Sequence, residues 1–178
     1  MRVVAILLAL IAVAATWFVF APRRIDPPAQ PTAVYLKAKG DALFAASFKQ
    51  FSSSVVPLAP FKGKPVVVYF WATWCVDCRD EAKALVALRD KYRASDLVVV
   101  GIGVDQSDKI ERFVRDNSVD FPVFVGGSEG IEVSRKMGNL RAEMPFVAAI
   151  DRGGLVTAAH LGKFQATTPE TMATAALK

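Results

Sequence analysis

Val66-Val67-Val68-Tyr69-Phe70-Trp71-Ala72-Thr73-Trp74-Cys75-Val76-Asp77-Cys78 holds both cysteines of this 178-residue chain, two residues apart, directly after an apolar run. Val66 to Trp71 is short and rich in β-branched and aromatic residues, the pattern of a buried parallel strand. The period then changes. From Asp80 to Arg93 the apolar residues Leu85, Leu88 and Tyr92 recur at helical spacing. Asp80 and Glu81 lie early and Lys91 and Arg93 late, as a helix dipole favours. The cysteine pair therefore sits at a strand-to-helix junction, with Cys75 near a helix N-terminus.

Unpaired N–H groups and the positive end of the macrodipole stabilise a thiolate there. A free thiol titrates near about 8.5, and such a setting lowers it by one to several units. Cys75, at the exposed start of the turn, is the expected attacking sulfur. Cys78, one turn inward, is the expected resolving sulfur that attacks Cys75 and releases a mixed disulfide. A closed zinc site is a poor rival, because it wants four ligands and the chain offers two cysteines and one distant histidine, His160. A static staple is equally poor, because closing a loop of two residues stabilises little. No metal and no cofactor beyond the redox-active Cys75–Cys78 pair is expected.

The length suits one globular domain with an appendage. Val3 to Phe20 is apolar apart from Thr16, flanked by Arg2 and by Arg23-Arg24, and about 18 to 20 such residues span a bilayer core. Residues 1–21 are expected to form a transmembrane anchor. A cleaved signal peptide is the rival, since Ala12-Val13-Ala14 resembles a small-x-small site. Cleavage there would leave Trp17-Phe18-Val19-Phe20 at a new terminus, which favours the anchor. Positive charges on both flanks leave the orientation open. Residues 22–34, with Pro22, Pro27, Pro28 and Pro31, read as a semi-rigid linker, and residues 35–178 as the domain. Of the formal charge of +5, Arg2, Arg23, Arg24 and Asp26 carry +2. The remainder is too mild, and too poor in interleaved aromatics, for a nucleic-acid partner.

Within the domain, Tyr35 to Pro60 is compatible with an edge strand pair or with a helix and a strand. Phe61 to Pro65 is a turn. Leu97 to Val104 is a second strong strand, which makes a βαβ unit with the first. Asp105-Gln106-Ser107 offers N-cap chemistry to a helix bearing Ile110, Phe113 and Val114. Val119 to Val125 reads as a short strand, at an edge or bulged because of Pro122. Gly126-Gly127 breaks it, Ile131 to Met137 suits a short helix closed by Gly138, and Pro145 to Asp151 with Leu155 to Leu161 suits a hairpin. A last helix is expected from Thr168 to Leu177, with Pro169 in its first turn.

Taken together, Gly63-Lys64-Pro65, Phe70-Trp71-Ala72-Thr73-Trp74-Cys75-x-x-Cys78, Val99-Val100-Gly101-Ile102, Phe121-Pro122-Val123, Met144-Pro145 and Ile150-Asp151-Arg152-x-Gly154 resemble the thioredoxin superfamily. More narrowly they resemble its TlpA/ResA/DsbE-like membrane-anchored members. The resemblance implies an α/β thioredoxin-like fold, a central mixed sheet flanked by helices. It also implies a cis-Pro145 across from Cys75, with the Met144 backbone pairing with a bound substrate chain. Trp74, Val76, Asp77, Met144 and Pro145 are the expected binding and tuning residues, with Phe146 a further groove residue. It implies a bacterial inner-membrane protein whose domain faces the periplasm, protein dithiol or disulfide substrates, and a transmembrane thiol electron donor.

Three positions depart from the pattern. Asp77 replaces a common proline, Phe146 a frequent threonine, and Tyr69 a buried acid, which removes one candidate proton acceptor for Cys78. Asp77 places a negative charge near the Cys75 sulfur, where it opposes the thiolate, unless Arg79 and Lys83 cancel it. The implied function is a thiol-disulfide oxidoreductase acting as a reductant, in cytochrome c maturation or a similar setting. A dithiol oxidant is the near alternative. A copper(I) carrier, with Met137, Met144 and His160 as helpers, is the alternative of a different class. Peroxide reduction would need a threonine three residues before the cysteine, where Ala72 stands.

Overall fold

A computed structural model describes residues 38–51 and 54–178. The expected anchor (1–21) and linker (22–34) lie outside the described residues. Among the described residues, no helix is long and apolar enough to cross a membrane. The elements run α1 (Asp41–Phe44), β1 (Ser47–Lys49), β2 (Val55–Pro57), β3 (Val66–Trp71), α2 (Cys78–Lys91), β4 (Val98–Gly103), α3 (Ser107–Asp116), β5 (Val123–Val125), α4 (Gly127–Lys136), β6 (Phe146–Ile150), β7 (Val156–Leu161) and α5 (Thr168–Ala176), with a 3-10 turn at Ala59–Phe61.

The strands form one seven-stranded mixed sheet in the order β2-β1-β5-β4-β3-β6-β7. β3 is parallel to β4 and antiparallel to β6, and all six of its residues are buried. Side chains alternate across the pleat, so this strand feeds two cores. Val66, Val68 and Phe70 pack with Val100, Ile102, Phe124 and, from α4, Val133. Val67, Tyr69 and Trp71 face the other way, toward Cys78, Leu85 and Leu88 of α2, Ile110 of α3 and Met172 of α5. Each large apolar side chain so buried contributes roughly 1.5–3 kcal/mol. A continuous apolar strand is thus the one element that both layers need.

The described part of Tyr35 to Pro60 contains both expected alternatives, a one-turn helix (α1) and then the β1–β2 pair, which makes one edge of the sheet. That pair corrects the placement of the Pro122 strand. β5 is interior, with β4 parallel on one side and β1 antiparallel on the other. Pro122 costs no ladder donor, because it lies just ahead of the strand and uses its carbonyl, which accepts the Gly101 N–H at 2.8 Å. α4 starts at Gly127, four residues before the expected Ile131. Gly127 has φ +51, a conformation open to glycine, so the two glycines make the turn into the helix rather than a gap before it. The α3 cap is also corrected: Gln106 is the N-cap and makes no side-chain cap bond, because Asp105 directs its carboxylate to Thr73 and the Gln106 N–H.

α3 lies close to β4 through Gly103. A Cβ there would sit 2.7 Å from Ile110 Cδ1 and 3.0 Å from its Cγ1. The missing side chain lets Ile110 seat directly on the strand and brings the start of α3 beside the cysteine motif.

Candidate functional site

β3 ends at Trp71, and its polypeptide passes through Ala72, Thr73 and Trp74 before α2 begins at Cys78. The backbone turns at once, since the Cys75 N–H donates to the Ala72 carbonyl at 3.2 Å. Thr73 fixes the outside of this turn by donating its hydroxyl to Asp105 Oδ2, at the far end of β4. Cys75 and Cys78 are joined in a disulfide with Cα atoms 5.4 Å apart. The two sulfurs differ in access. Cys75 is half-buried while Cys78 is fully buried in the α2 core. Asp77 is the helix N-cap yet makes no side-chain bond to the first turn, so its carboxylate does not occupy the N–H groups that would stabilise an anion at Cys75.

The side chains expected around the pair separate on exposure. Trp74 and Val76 are 67% and 92% exposed, large apolar surfaces set on either side of Cys75. Met144 is half-buried and Pro145 buried, and the Met144–Pro145 peptide is cis. Phe146 is a correction: it is fully buried and packs against Phe70 at 5.9 Å between centroids, so it belongs to the core. Leu140, 69% exposed, is an apolar surface residue of the chain leading to Pro145 that sequence reading missed. The buried Asn139 shapes that chain: its Nδ2 donates to the Glu143 carbonyl at 2.9 Å and its Oδ1 accepts the Glu143 N–H at 3.1 Å. Asp77 pairs with Lys163 at 3.2 Å rather than with Arg79 or Lys83. Of the supposed copper helpers, Met137 is fully buried in the core on the opposite face of the sheet from Cys78. His160 Nε2 lies 2.9 Å from the Lys163 carbonyl.

The buried acid expected to be lost with Tyr69 returns from another element. Glu81, one turn after Cys78 on α2, is only 3% exposed. Its Oε2 accepts the Tyr69 hydroxyl at 2.8 Å, and its Oε1 accepts the Phe164 N–H at 2.8 Å. The same Tyr69 oxygen lies 3.4 Å from the Cys78 carbonyl. Burial pushes the Glu81 carboxyl above its ordinary range, against the opposing pull of the Tyr69 and Phe164 bonds; the Asp77 charge adds to the rise and His160 opposes it. Burial, and then the charge of Glu81, push the Tyr69 hydroxyl far above the usual phenol value. Sequence reading took Glu81 for a dipole acid. The missed signal is its phase, since Cys78, Glu81, Leu85 and Leu88 form the buried stripe of α2.

Such a site can exchange a disulfide with a partner at Cys75, and it buries a carboxyl of raised proton affinity one helical turn from Cys78. For peroxide chemistry it lacks the needed hydroxyl, because Ala72 occupies the required position and the Thr73 hydroxyl is bonded to Asp105.

Comparison with known proteins agrees with this geometry. The AhpC/TSA family model matches residues 40–159. Thioredoxin-like protein YneN of Bacillus subtilis is 31% identical over 120 residues, covering 65% of this chain and 67% of YneN. Thiol-disulfide oxidoreductase ResA of Bacillus thuringiensis subsp. konkukian is 30% identical over 102 residues, covering 57% of each chain. The match thus spans about two thirds or less of these relatives. A crystal structure of a candidate thiol:disulfide interchange protein DsbE from Chlorobium tepidum superposes with a TM-score of 0.63 at 27% identity, over 78% of this chain and 94% of that one. The match over residues 40–159 establishes that the chain belongs to the AhpC/TSA family, and within it the chain is similar to thioredoxin-like proteins of the ResA and DsbE type.

Proposed function

We propose that this chain is a membrane-tethered reductant of selected protein disulfides outside the bacterial cytoplasm, with Cys75 as nucleophile and Cys78 as resolving thiol. The observation that carries the assignment of roles is the unequal access of the two sulfurs, one half-buried between exposed Trp74 and Val76, the other fully buried. In the reduced protein, the Cys75 thiolate attacks one sulfur of the partner's disulfide and expels the other as a thiolate. Cys78 then gives its proton toward Glu81 and attacks Cys75, which releases the second partner thiolate. Two electrons pass to the partner, whose thiolates take up protons, and the Cys75–Cys78 disulfide remains. A transmembrane thiol donor would return it to the dithiol, since a reductant in an oxidising compartment must be recharged. Disulfides of cytochrome c precursors are the proposed substrates, on the resemblance to the TlpA/ResA/DsbE group.

Trapping with a Cys78→Ser variant tests the assignment. A partner should accumulate in mixed disulfide with Cys75. A partner held instead on Cys78 in a Cys75→Ser variant would reverse the roles. If the oxidised protein oxidises partner dithiols while the reduced one leaves their disulfides intact, the protein is a dithiol oxidant. Tight copper(I) binding without any exchange would make it a carrier.

A further inference from the structure

One groove beside the cysteine motif carries charge that the thiol chemistry does not use. It is about 550 Å³ and lies between α2 and α3, lined by Thr73, Arg79, Lys83, Lys109, Arg112 and Asp116 among others. Arg79 and Lys83 are one turn apart on α2, and Lys109 and Arg112 one turn apart on α3, so two helix faces present four exposed cations to the same space. The fold holds them there. Gly103 admits Ile110 against β4, and Thr73 ties the motif turn to Asp105 at the head of α3.

Little inside the protein neutralises them. Lys109 pairs with Asp105 at 3.4 Å, and Asp116, the lining carboxylate, is already within 3.9 Å of Arg115. Arg79, Lys83 and Arg112 make no ion pair among the described residues. Elsewhere on the surface, cations find acids: Arg89 with Asp120, Lys91 with Glu170, and Arg152 with Asp96. The opposite flank of α2 is richer in acids, with Asp77, Asp80 and Glu81 lining a cleft of about 200 Å³ to which Lys163, paired with Asp77, is the one cation contributed. Charge is thus divided across the helix that carries Cys78.

An anionic partner fits the α2–α3 side. A small apolar-bodied ligand does not, because such sites are mostly hydrophobic and the walls here are long cationic side chains. A short acidic segment suits this local patch better than a nucleic-acid backbone, whose evenly spaced phosphates would run on past the four cations toward Asp108 and Glu111 of α3. We propose that this groove docks an acidic segment of the same protein whose disulfide Cys75 attacks, an inference that rests on the reductase assignment. Arg79 directly follows Cys78, so a partner bound at Cys75 would reach the groove with carboxylates close in sequence to its reacting cysteine.

The test uses the full chain, fully reduced, in single turnover with three disulfide peptides that differ only in Glu-rich, Ser-rich or Lys-rich flanks. Each rate is divided by that peptide's rate with dithiothreitol, which removes the flanks' effect on the substrate sulfurs. The Glu-rich peptide should react roughly tenfold faster than the Lys-rich one at low salt. The ratio should fall toward one at about 0.5 M salt, where the Debye length is only a few ångströms. It should invert in the K83E/R112E double variant, whose two sites are exposed. Equal normalised rates for the Glu-rich and Lys-rich peptides in the unaltered protein would overturn the docking proposal and leave the reductase assignment standing. Failure to reduce any of the three would overturn the assignment itself.

Discussion

The hydroxyl of Tyr69 donates to Glu81 at 2.8 Å within the core that also buries Cys78. Two polar groups from different elements, a strand and the helix after it, thereby hold a buried acid one helical turn from Cys78, the proposed resolving thiol. A carboxylate needs such partners to remain ionised in a dry site, and burial still leaves its proton affinity raised.

Glu81→Gln should slow release of the mixed disulfide by roughly a hundredfold, within the usual range for loss of a general base. The first attack by Cys75 should change much less. The unaltered protein should resolve the mixed disulfide faster as pH rises through the elevated Glu81 range, and the Gln variant should lose that limb. Stopped-flow resolution of a preformed mixed disulfide, measured against pH, distinguishes this from a packing defect, which would lower the rate equally at all pH values.

Stability should move the other way. Because the folded Glu81 holds its proton to a higher pH than the unfolded chain does, the stability linked to it is full below the ordinary carboxyl range and declines as pH rises through the folded value. Glu81→Gln is therefore expected to raise Tm at neutral pH relative to the unaltered protein and to change it little at pH near 4. Calorimetry across that interval checks it; a uniform loss of stability would contradict it.

Tyr69→Phe keeps the ring that packs edge-on against Phe164 at 5.8 Å and removes only the hydroxyl. That bond lowers the Glu81 pKa, so its loss should shift the resolution limb to higher pH. It should also destabilise the protein by about 1–3 kcal/mol when Glu81 is ionised. A limb left in place would show that Tyr69 has no hold on the Glu81 proton.

The β3 strand, the placement of the cysteine pair at the strand-to-helix junction and the β6–β7 hairpin are legible because each has a local signature: an unbroken apolar run, a change of period after it, and two apolar runs around Arg152-Gly153-Gly154. What escaped was decided by residues distant in the chain. Pro122 points to an edge or bulged strand for β5, and the β1–β2 pair that covers it has strands of only three residues, too few to show a period that would reveal the cover. The sequence shows Glu81 only as an early helix acid matching the dipole, because its partners are Tyr69, twelve residues before it, and Phe164, far beyond it. Phe146 was assigned to the groove by its neighbour Pro145, although side chains alternate along β6 and its own turns into the core beside Phe70.

Thr73→Val should act on acid stability rather than on thiol exchange. Burial pushes the Asp105 carboxyl up, but the Thr73 hydroxyl, the Gln106 N–H and Lys109 together hold it below its ordinary value. The sign is opposite to that of Glu81. This stability is present above the unfolded carboxyl range and is lost as pH falls through the depressed folded value. Without the Thr73 bond the depression shrinks, so the acid-unfolding midpoint should rise while peptide reduction at neutral pH falls less than about threefold. Acid titration followed by tryptophan fluorescence reads the first effect.

Asn139→Ala bears on substrate positioning. The Asn139 side chain closes the segment from 139 to 143 by gripping both the N–H and the carbonyl of Glu143, the residue before Met144-Pro145. Its removal strips partners from backbone groups next to the strand of chain proposed to pair with substrate, at a cost of roughly 1–3 kcal/mol for each group left unsatisfied. The sulfur atoms are untouched, so the intrinsic reactivity of Cys75 toward a small alkylating agent should be unchanged. KM for a protein disulfide should rise several-fold with a smaller effect on kcat, because a looser segment weakens ground-state and transition-state binding alike. Asn139→Asp restores the acceptor for the Glu143 N–H but not the donor to its carbonyl, and should recover only part of the loss. Equal KM values in all three proteins would show that the segment presents Met144 and Pro145 correctly without this clamp.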